Sequence, residues 1–158
     1  MNQNIFNHKF TTSVEVKTNP FIVDFVFTTL NEEISFGQNG KNFDEWFGGL
    51  ILPPSPRVVV ESWNLQKPAD EISFINETGG CVRPVSLSSV YSLLKARQQD
   101  FIGNLAIFFC HSPRTQNIHL LALFCKNSLW HIRGYGESVR ESRNWRPEGK
   151  FLVEKPLL

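Results

Sequence analysis

The sequence predicts a single α+β domain of 158 residues, in which a mainly antiparallel sheet of about eight strands accompanies one long amphipathic helix. Two observations favour this fold class. Residues 87–102 show the 3.6-residue apolar period of a helix. Several short segments elsewhere either alternate apolar and polar residues or form brief apolar runs, and turn-forming residues separate them, which is typical of strands.

The first strands are predicted from alternation. Mostly apolar side chains occupy every second position of residues 10–17 and of residues 21–28, and a Thr-Asn-Pro turn separates the two segments. We expect these segments to pair as a hairpin. Residues 58–63 and residues 72–75 are two further runs of strand length, rich in β-branched or aromatic side chains.

A helical turn and a stiff crossing lie between these strands. Asn42 followed by Glu45 resembles a capping box, which predicts one turn of helix over residues 43–47. Three prolines within residues 50–56 enforce an extended backbone. This crossing can be a hinge between subdomains or simply a rigid loop.

The long helix has clear signals at both ends. Ser86 or Ser88 can serve as the N-cap, and Gly103 can take the left-handed conformation that ends a helix. Lysine, arginine and glutamine fill most of the polar face. The apolar stripe consists of Leu87, Val90, Tyr91, Leu94 and Phe101.

A C-terminal β-meander is predicted after the helix. Residues 105–110, 118–125 and 129–135 are three apolar runs of strand length, and the short connections between them favour antiparallel pairing. We predict a last strand, at an edge of the sheet, over residues 150–154.

Turn lengths set the predicted register of the meander. A two-residue turn at Lys126 and Asn127 and a five-residue turn over residues 112–116 separate the side chains into two faces. The face expected to form the core holds Leu105, Ile107, Phe109, Leu121, Leu123, Trp130 and Ile132. The second face holds Ala106, Phe108, Cys110, Leu120, Ala122, Phe124, His131, Arg133 and Tyr135.

Charge is unevenly distributed along the chain, although the net charge is only +1. Residues 1–79 contain five basic and ten acidic residues, whereas residues 80–158 contain eleven basic and five acidic residues. The two halves can neutralise each other where they pack together. Alternatively, the surface is bipolar and its basic side meets an anionic partner. A net charge so close to zero does not suit a dedicated binder of duplex nucleic acid.

The sequence predicts a soluble, cytoplasmic protein with no membrane partner. No apolar run approaches the ~18 residues that a membrane span requires, and the polar N-terminus lacks the apolar core of a secretory signal. The three cysteines are few and odd in number. The predicted register also keeps Cys110 and Cys125 too far apart for a disulfide, so we expect free thiols. No oligomeric state is predicted.

The most distinctive polar segment, residues 131–150, is rich in arginine. Guanidinium groups bind phosphates and carboxylates through paired hydrogen bonds, and aromatic side chains can stack on a base or another ring. Interleaved glutamates can instead pair with these arginines and leave an ordinary solvated loop. The candidate partner-binding residues are His131, Arg133, Tyr135, Arg140, Arg143, Trp145 and Arg146.

These features predict a non-catalytic interaction protein of the inhibitor, immunity or adaptor type, which recognises a macromolecular partner, expected to be a protein, through its basic C-terminal half. The alternative is a binder of a phosphate-bearing ligand or of single-stranded nucleic acid through the arginine cluster. A Cys-His hydrolase is a minor alternative, because His111 and His119 point away from Cys110 in the predicted register. The cysteines lack zinc-site spacing and the common catalytic motifs are absent, so we expect no catalytic residue, metal or cofactor.

Overall fold

The structure is a computed structural model and describes residues 12–16, 21–22, 40–52, 58–65, 70–77, 83–135 and 149–156. Within these ranges the fold is α+β, as predicted. The helices are α1 (Lys41–Phe47), α2 (Glu71–Glu77) and α3 (Leu87–Arg97). The strands are β1 (Thr12–Val16), β2 (Phe21–Ile22), β3 (Ile51–Leu52), β4 (Val58–Asn64), β5 (Ala106–His111), β6 (Ile118–Lys126), β7 (Leu129–Tyr135) and β8 (Lys150–Pro156).

The main sheet contains six strands in the order β1-β4-β8-β5-β6-β7, while β2 and β3 pair separately. All neighbours in the main sheet are antiparallel except β5 and β8, which run parallel where Ala106 pairs with Lys150 and Ile107 pairs with Phe151. The sheet is therefore mixed. The prediction of one mainly antiparallel sheet of about eight strands is wrong in these details.

Two predicted strand positions are also corrected. Only residues 12–16 and 21–22 of the predicted N-terminal hairpin are described, and they do not pair with each other, because β1 pairs with β4 and β2 pairs with β3. β8 is not an edge strand, because it lies between β4 and β5. A strand inserted between two others is paired on both sides, and such long-range pairing leaves no local signal in the sequence.

The meander β5–β6–β7 forms as predicted but with a shifted register. The first turn spans residues 112–117, so His111 pairs with Ile118, one residue away from the predicted partner. A shift of one residue exchanges the two faces of a strand, and β5 is therefore inverted relative to the prediction. Asn127 and Ser128 form the second turn, both with positive φ. The predicted turn, at Lys126 and Asn127, lies one residue earlier, so β7 moves by two positions against β6. A shift of two positions leaves the predicted faces of β6 and β7 unchanged.

Helices α1 and α3 cover one face of the main sheet. Their apolar side chains pack on strand residues that include Ala106, Phe108, Leu121, Leu123, Trp130 and Ile132. Helix α2 covers part of the opposite face, where Phe74 stacks on Phe151 with ring centroids 4.8 Å apart. Ile107, Phe109, Leu120 and Ala122 share this second apolar cluster. The structure thus places Ala106, Phe108 and Cys110 on the face that α1 and α3 cover. Leu105, Ile107 and Phe109 lie on the face that α2 partly covers.

Helix α3 begins where the sequence predicts. The Ser86 hydroxyl accepts a hydrogen bond from the Ser89 N–H at 3.1 Å, which satisfies a free donor of the first turn. The α-helix ends at Arg97, however, and a 3-10 turn over Gln98–Phe101 replaces the last turn of the predicted helix. Gly103 takes a positive φ of 82°, in the left-handed region that the prediction requires.

Helix α2 replaces the strand predicted over residues 72–75. The Asp70 carboxylate accepts hydrogen bonds from both the N–H of Ser73 at 2.9 Å and its hydroxyl at 2.7 Å. An aspartate in this position stabilises the start of a helix. These two hydrogen bonds also lower the pKa of Asp70. The capping interaction, rather than the apolar run, decides the local structure.

Helix α1 forms without the predicted capping box. Gly40 is the N-cap and no side chain caps the first turn. The Asn42 side chain instead donates to the Gly134 carbonyl at 3.2 Å on β7. The prolines of the crossing predicted over residues 50–56 lie outside the described residues.

Candidate binding surface

Three of the predicted site residues lie side by side on β7. His131, Arg133 and Tyr135 occupy alternate positions of the strand, so their side chains project from the same face of the sheet. This is the face opposite α1 and α3, and α3 therefore does not cover these side chains. The other predicted site residues, Arg140, Arg143, Trp145 and Arg146, lie outside the described residues.

Phe124 of β6 sits at the centre of this group. It pairs directly with His131, and the two rings stack with centroids 5.3 Å apart and planes 17° from parallel. The guanidinium carbon of Arg133 lies 5.2 Å from the centroid of the same ring. A guanidinium over an aromatic face is held in place by a cation–π interaction while its N–H groups stay available for other partners.

Arg133 carries an exposed positive charge. Among the described residues, an ion pair joins Arg97 to Asp100 at 3.9 Å, and Arg133 is not part of it. The sequence contains no aspartate or glutamate between Asp100 and Glu137. The whole β5–β6–β7 meander therefore lacks carboxylates, and its charged side chains are basic.

Apolar side chains are exposed on the same face. Leu129 is 38% exposed, and it lies two residues from His131 at the tip of the β6–β7 hairpin. Ile118, 40% exposed, lies at the opposite end of β6. We define the hairpin surface as the side chains of Phe124, Lys126, Leu129, His131, Arg133 and Tyr135 on this face, of which Tyr135 is half-buried against the second apolar cluster. It combines exposed apolar area with the positive charges of Lys126 and Arg133, which is the composition expected of a recognition surface.

The outer edge of β7 is partly occupied by the start of α1. The Gly40 N–H donates to the Ile132 carbonyl at 2.9 Å, and the Asn42 amide donates to the Gly134 carbonyl. Two outward carbonyls of the edge strand are thereby satisfied within the chain. A partner that adds a strand to this edge would have to displace them. The face of the hairpin, not its edge, is the accessible part.

Arg114 lies away from the hairpin surface. Its guanidinium donates to the carbonyls of Glu45, at 3.0 Å, and of Gly48. The Ser112 hydroxyl donates to the Trp46 carbonyl at 2.6 Å. These groups satisfy carbonyls at the C-terminal end of α1, where a positive charge is favourable. Arg114 is thus a structural residue that fastens α1 to the meander.

The shifted register changes the geometry around Cys110. His119 is its direct cross-strand partner and shares its face, contrary to the prediction. The thiol is nevertheless only 2% exposed, and burial together with the charge of Glu154 raises its pKa. A protonated, buried thiol is a poor nucleophile. The His119 Nε2 lies 2.6 Å from the Thr115 hydroxyl, so the ring is engaged in a structural hydrogen bond. Catalysis by this pair is not favoured.

Other titratable groups have structural roles. Cys110 and Cys125 are free thiols, as predicted. Lys150 is 9% exposed and its ammonium donates to the Asn64 side chain at 2.9 Å, while burial lowers its pKa against the opposing effect of Asp100. In the described part of the chain, no group of three or more histidine, cysteine, aspartate or glutamate side chains could hold a metal ion.

Comparisons with protein-family models, with curated proteins and with solved structures found no match for this chain. Among the described residues, no helix has the length and apolar character needed to cross a membrane.

Phe124, Lys126 and Leu129 are members of the hairpin surface that the sequence-based site lacked. Their period-2 spacing along β6 and β7 placed Phe124 on the correct face, but its role in holding Arg133 depends on ring geometry. Leu129 is the first residue of β7 after the turn, and its exposure follows from the turn position at Asn127 and Ser128. The signal in the sequence that could identify these residues is their placement at alternate positions of the two predicted strands.

Proposed function

We propose that the protein is a non-catalytic interaction protein of the inhibitor, immunity or adaptor type, and that it recognises an acidic protein partner through the hairpin surface. The observation that carries this proposal is the placement of Arg133 on the ring of Phe124 within a meander that lacks carboxylates. A held guanidinium loses less conformational freedom when it binds, so more of its interaction energy becomes affinity.

Charge and apolar area together favour a protein partner. Arg133 and Lys126 attract carboxylates. The exposed Leu129 offers apolar area that apolar side chains of a protein partner can cover. Arginine and aromatic residues are the types that contribute most to protein interfaces. Leu129 to Tyr135 spans roughly 20 Å at ~3.3 Å per residue, which suits a short segment lying along the strand.

A binder of a phosphate-bearing ligand or of single-stranded nucleic acid remains the second candidate. The stacked rings of Phe124 and His131, with Arg133 beside them, resemble the aromatic and basic pairs on which bases stack. The exposed aliphatic side chains favour the protein partner, because leucine and isoleucine offer no ring to a base.

Fluorescence anisotropy can separate the two candidates. The probe is a labelled peptide of about eight residues that alternates glutamate and leucine, long enough to cover the hairpin surface. Its matched control carries lysine in place of glutamate, and an oligodeoxythymidine of similar length represents nucleic acid. We expect the acidic peptide to bind, the basic peptide not to bind, and the oligonucleotide to bind more weakly than the acidic peptide.

The matched protein variants are Arg133→Met and Arg83→Met. Both remove one exposed positive charge, but Arg83 lies before α3 and outside the hairpin surface. We expect Arg133→Met to weaken peptide binding about tenfold and Arg83→Met to leave it within about twofold. Tighter binding of the oligonucleotide, with a steep loss of affinity in salt, would favour the second candidate. Equal effects of the two variants would contradict the proposed surface.

A further inference from the structure

Strand β8 follows the meander in the sequence but pairs mainly with β4. Seven residue pairs join β8 to Val58–Asn64 of β4 in antiparallel register. Only two pairs join β8 to β5, and they run parallel. Further along β5, the carbonyl of Phe109 accepts a hydrogen bond from the Val85 N–H instead. β8 is therefore held chiefly by a strand from the other half of the chain.

The side chains of β8 contribute to both apolar clusters. Phe151, Leu152 and Val153 are at most 1% exposed. Leu152 packs under α1 and α3, whereas Phe151 and Val153 belong to the cluster on the opposite face. The Phe151 ring lies 6.1 Å from that of Trp63 and stacks on Phe74, measured between ring centroids. All of these partners precede residue 136, so residues 1–135 of one copy offer the same slot to the β8 of another.

Two polar contacts match the slot to the sequence of β8. The Lys150 ammonium donates to the Asn64 side chain at 2.9 Å, and the Glu154 carboxylate accepts from the Ser86 N–H at 3.1 Å. A strand that fills the slot therefore needs a lysine and a glutamate four residues apart, with three apolar residues between them. This chain's own β8 has that pattern, so a second copy is the partner that the slot fits.

Residues 136–148 connect β7 to β8, and their number alone sets how far β8 can reach. β6 and β5 lie between the two strands, so the connection has to cross three strand spacings, roughly 14 Å. Thirteen residues span up to roughly 43 Å when they are extended. The connection is thus long enough for β8 to enter its own sheet or the sheet of a second copy beside it.

We infer that two copies of this chain can exchange β8, each copy inserting the strand between β4 and β5 of the other to form a symmetric dimer. The inference does not depend on the proposed function. The interaction surface is the slot between β4 and β5, and its occupant is the partner's β8. Exchange preserves the strand pairs and the buried contacts of β8, so no packing energy is lost.

Protein concentration sets the balance between the two forms, because a copy's own β8 and a partner's β8 compete for one slot. A segment tethered within the same chain has an effective concentration on the order of 1 mM. Well below this concentration a copy's own β8 enters the slot, whereas close to it the partner's strand competes. Each form then persists, since β8 leaves its central position only when the sheet opens.

Refolding at two concentrations tests the exchange. The unmodified protein is unfolded in urea with a reducing agent and refolded at about 1 mM or at about 1 μM, and light scattering after size-exclusion chromatography gives its mass. We expect roughly half of the protein at twice the chain mass of 18.1 kDa after the concentrated refolding, and less than about a tenth after the dilute refolding. The isolated dimer should keep its mass on dilution.

A disulfide shows whether the dimer has exchanged its strands. Combining Val58→Cys with Pro156→Cys places thiols at paired positions of β4 and β8, away from Phe151–Val153. In the exchanged dimer the engineered disulfide links two chains, so the dimer survives denaturing electrophoresis without reductant. In the monomer the disulfide lies within one chain. The two single variants are the controls for disulfides with native cysteines, and they should give no covalent dimer.

Two outcomes overturn the inference. One is a monomer after refolding at both concentrations. The other is a dimer of the double variant whose engineered disulfide lies within each chain, because the copies would then associate through their surfaces without exchange. The mass of the unmodified protein decides the first outcome even if the double variant folds poorly.

Discussion

Trp46 of α1 lies flat on His119 of β6, with ring centroids 3.9 Å apart and planes only 9° from parallel. Gly134 on the adjacent strand makes room for this arrangement. A Cβ atom at position 134 would lie 2.8 Å from Cε3 of the indole. The stack therefore depends on the absence of a side chain on β7, and it positions the helix that occupies the β7 edge.

We predict that Gly134→Ala displaces Trp46 and lowers the free energy of unfolding by about 2 kcal/mol, because a methyl group would overlap a rigid ring. Urea denaturation measures the loss. Gly40→Ala is the control, since a Cβ there would lie 3.4 Å from its nearest neighbour, and it should lose less than about 1 kcal/mol. Equal losses in both variants would show that the indole can move aside.

A buried indole supplies a second test. The Trp130 N–H donates to the Gln98 side chain at 2.8 Å, and Trp130 is only 1% exposed. Gln98→Ala should therefore leave a buried donor unpaired and cost about 1–3 kcal/mol in urea denaturation. The neighbouring Gln99 is exposed, so Gln99→Ala should change stability by less than about 0.5 kcal/mol. A neutral Gln98→Ala would mean that water replaces the amide.

The burial of Lys150 predicts a dependence of stability on pH. Burial lowers the pKa of Lys150, so the folded state disfavours its charged form. The resulting penalty is present at neutral pH and is relieved as pH rises through the lowered pKa towards the ordinary value of about 10.4. The stability difference between the unmodified protein and Lys150→Met should therefore shift in favour of the unmodified protein from pH 7 to about pH 10.

Urea denaturation at several pH values measures this trend. Lys95→Met, which removes an exposed lysine of α3, is the control for the loss of one positive charge. A difference for Lys150→Met that stays constant with pH would contradict a desolvated ammonium at this position.

The two described thiols should differ in reactivity. Burial raises the pKa of Cys110 and keeps its thiol protonated, whereas Cys125 is partly exposed. N-ethylmaleimide at neutral pH should modify Cys125 in the folded protein and reach Cys110 only after unfolding in urea. Peptide mapping by mass spectrometry distinguishes the sites. Rapid labelling of Cys110 in the folded protein would revive the hydrolase alternative.

Short-range sequence patterns predict those helices and strands whose stabilising contacts join residues that are close together in the chain. The Ser86 hydroxyl caps α3 within one turn, so a short sequence window contains both partners of the hydrogen bond. The positions of His131, Arg133 and Tyr135 on one face follow from the period-2 geometry of a single strand. Local sequence also predicts a strand at residues 72–75, because they form a short apolar run. The structure has a helix there, because the Asp70 carboxylate caps its first turn.

Long-range pairing was beyond local signals. The inversion of β5 follows from one additional residue in the turn over 112–117, and no residue type marks that length unambiguously. The parallel pairing of Ala106 with Lys150 joins segments far apart in the chain. For the binding surface, the ring of Phe124 became visible as the support of Arg133 only in three dimensions. The roles of Arg140, Arg143, Trp145 and Arg146 stay predictions.

The position of β8 has a consequence for how the chain acquires its fold during synthesis. β8 follows the other described strands in the sequence, yet it separates β4 from β5 in the sheet. Until β8 is made, no strand joins the β1–β4 pair to the β5–β6–β7 meander, and each has an unpaired strand edge. Such edges invite association with other chains. The nascent protein is therefore most vulnerable to aggregation just before β8 joins the two parts of the sheet.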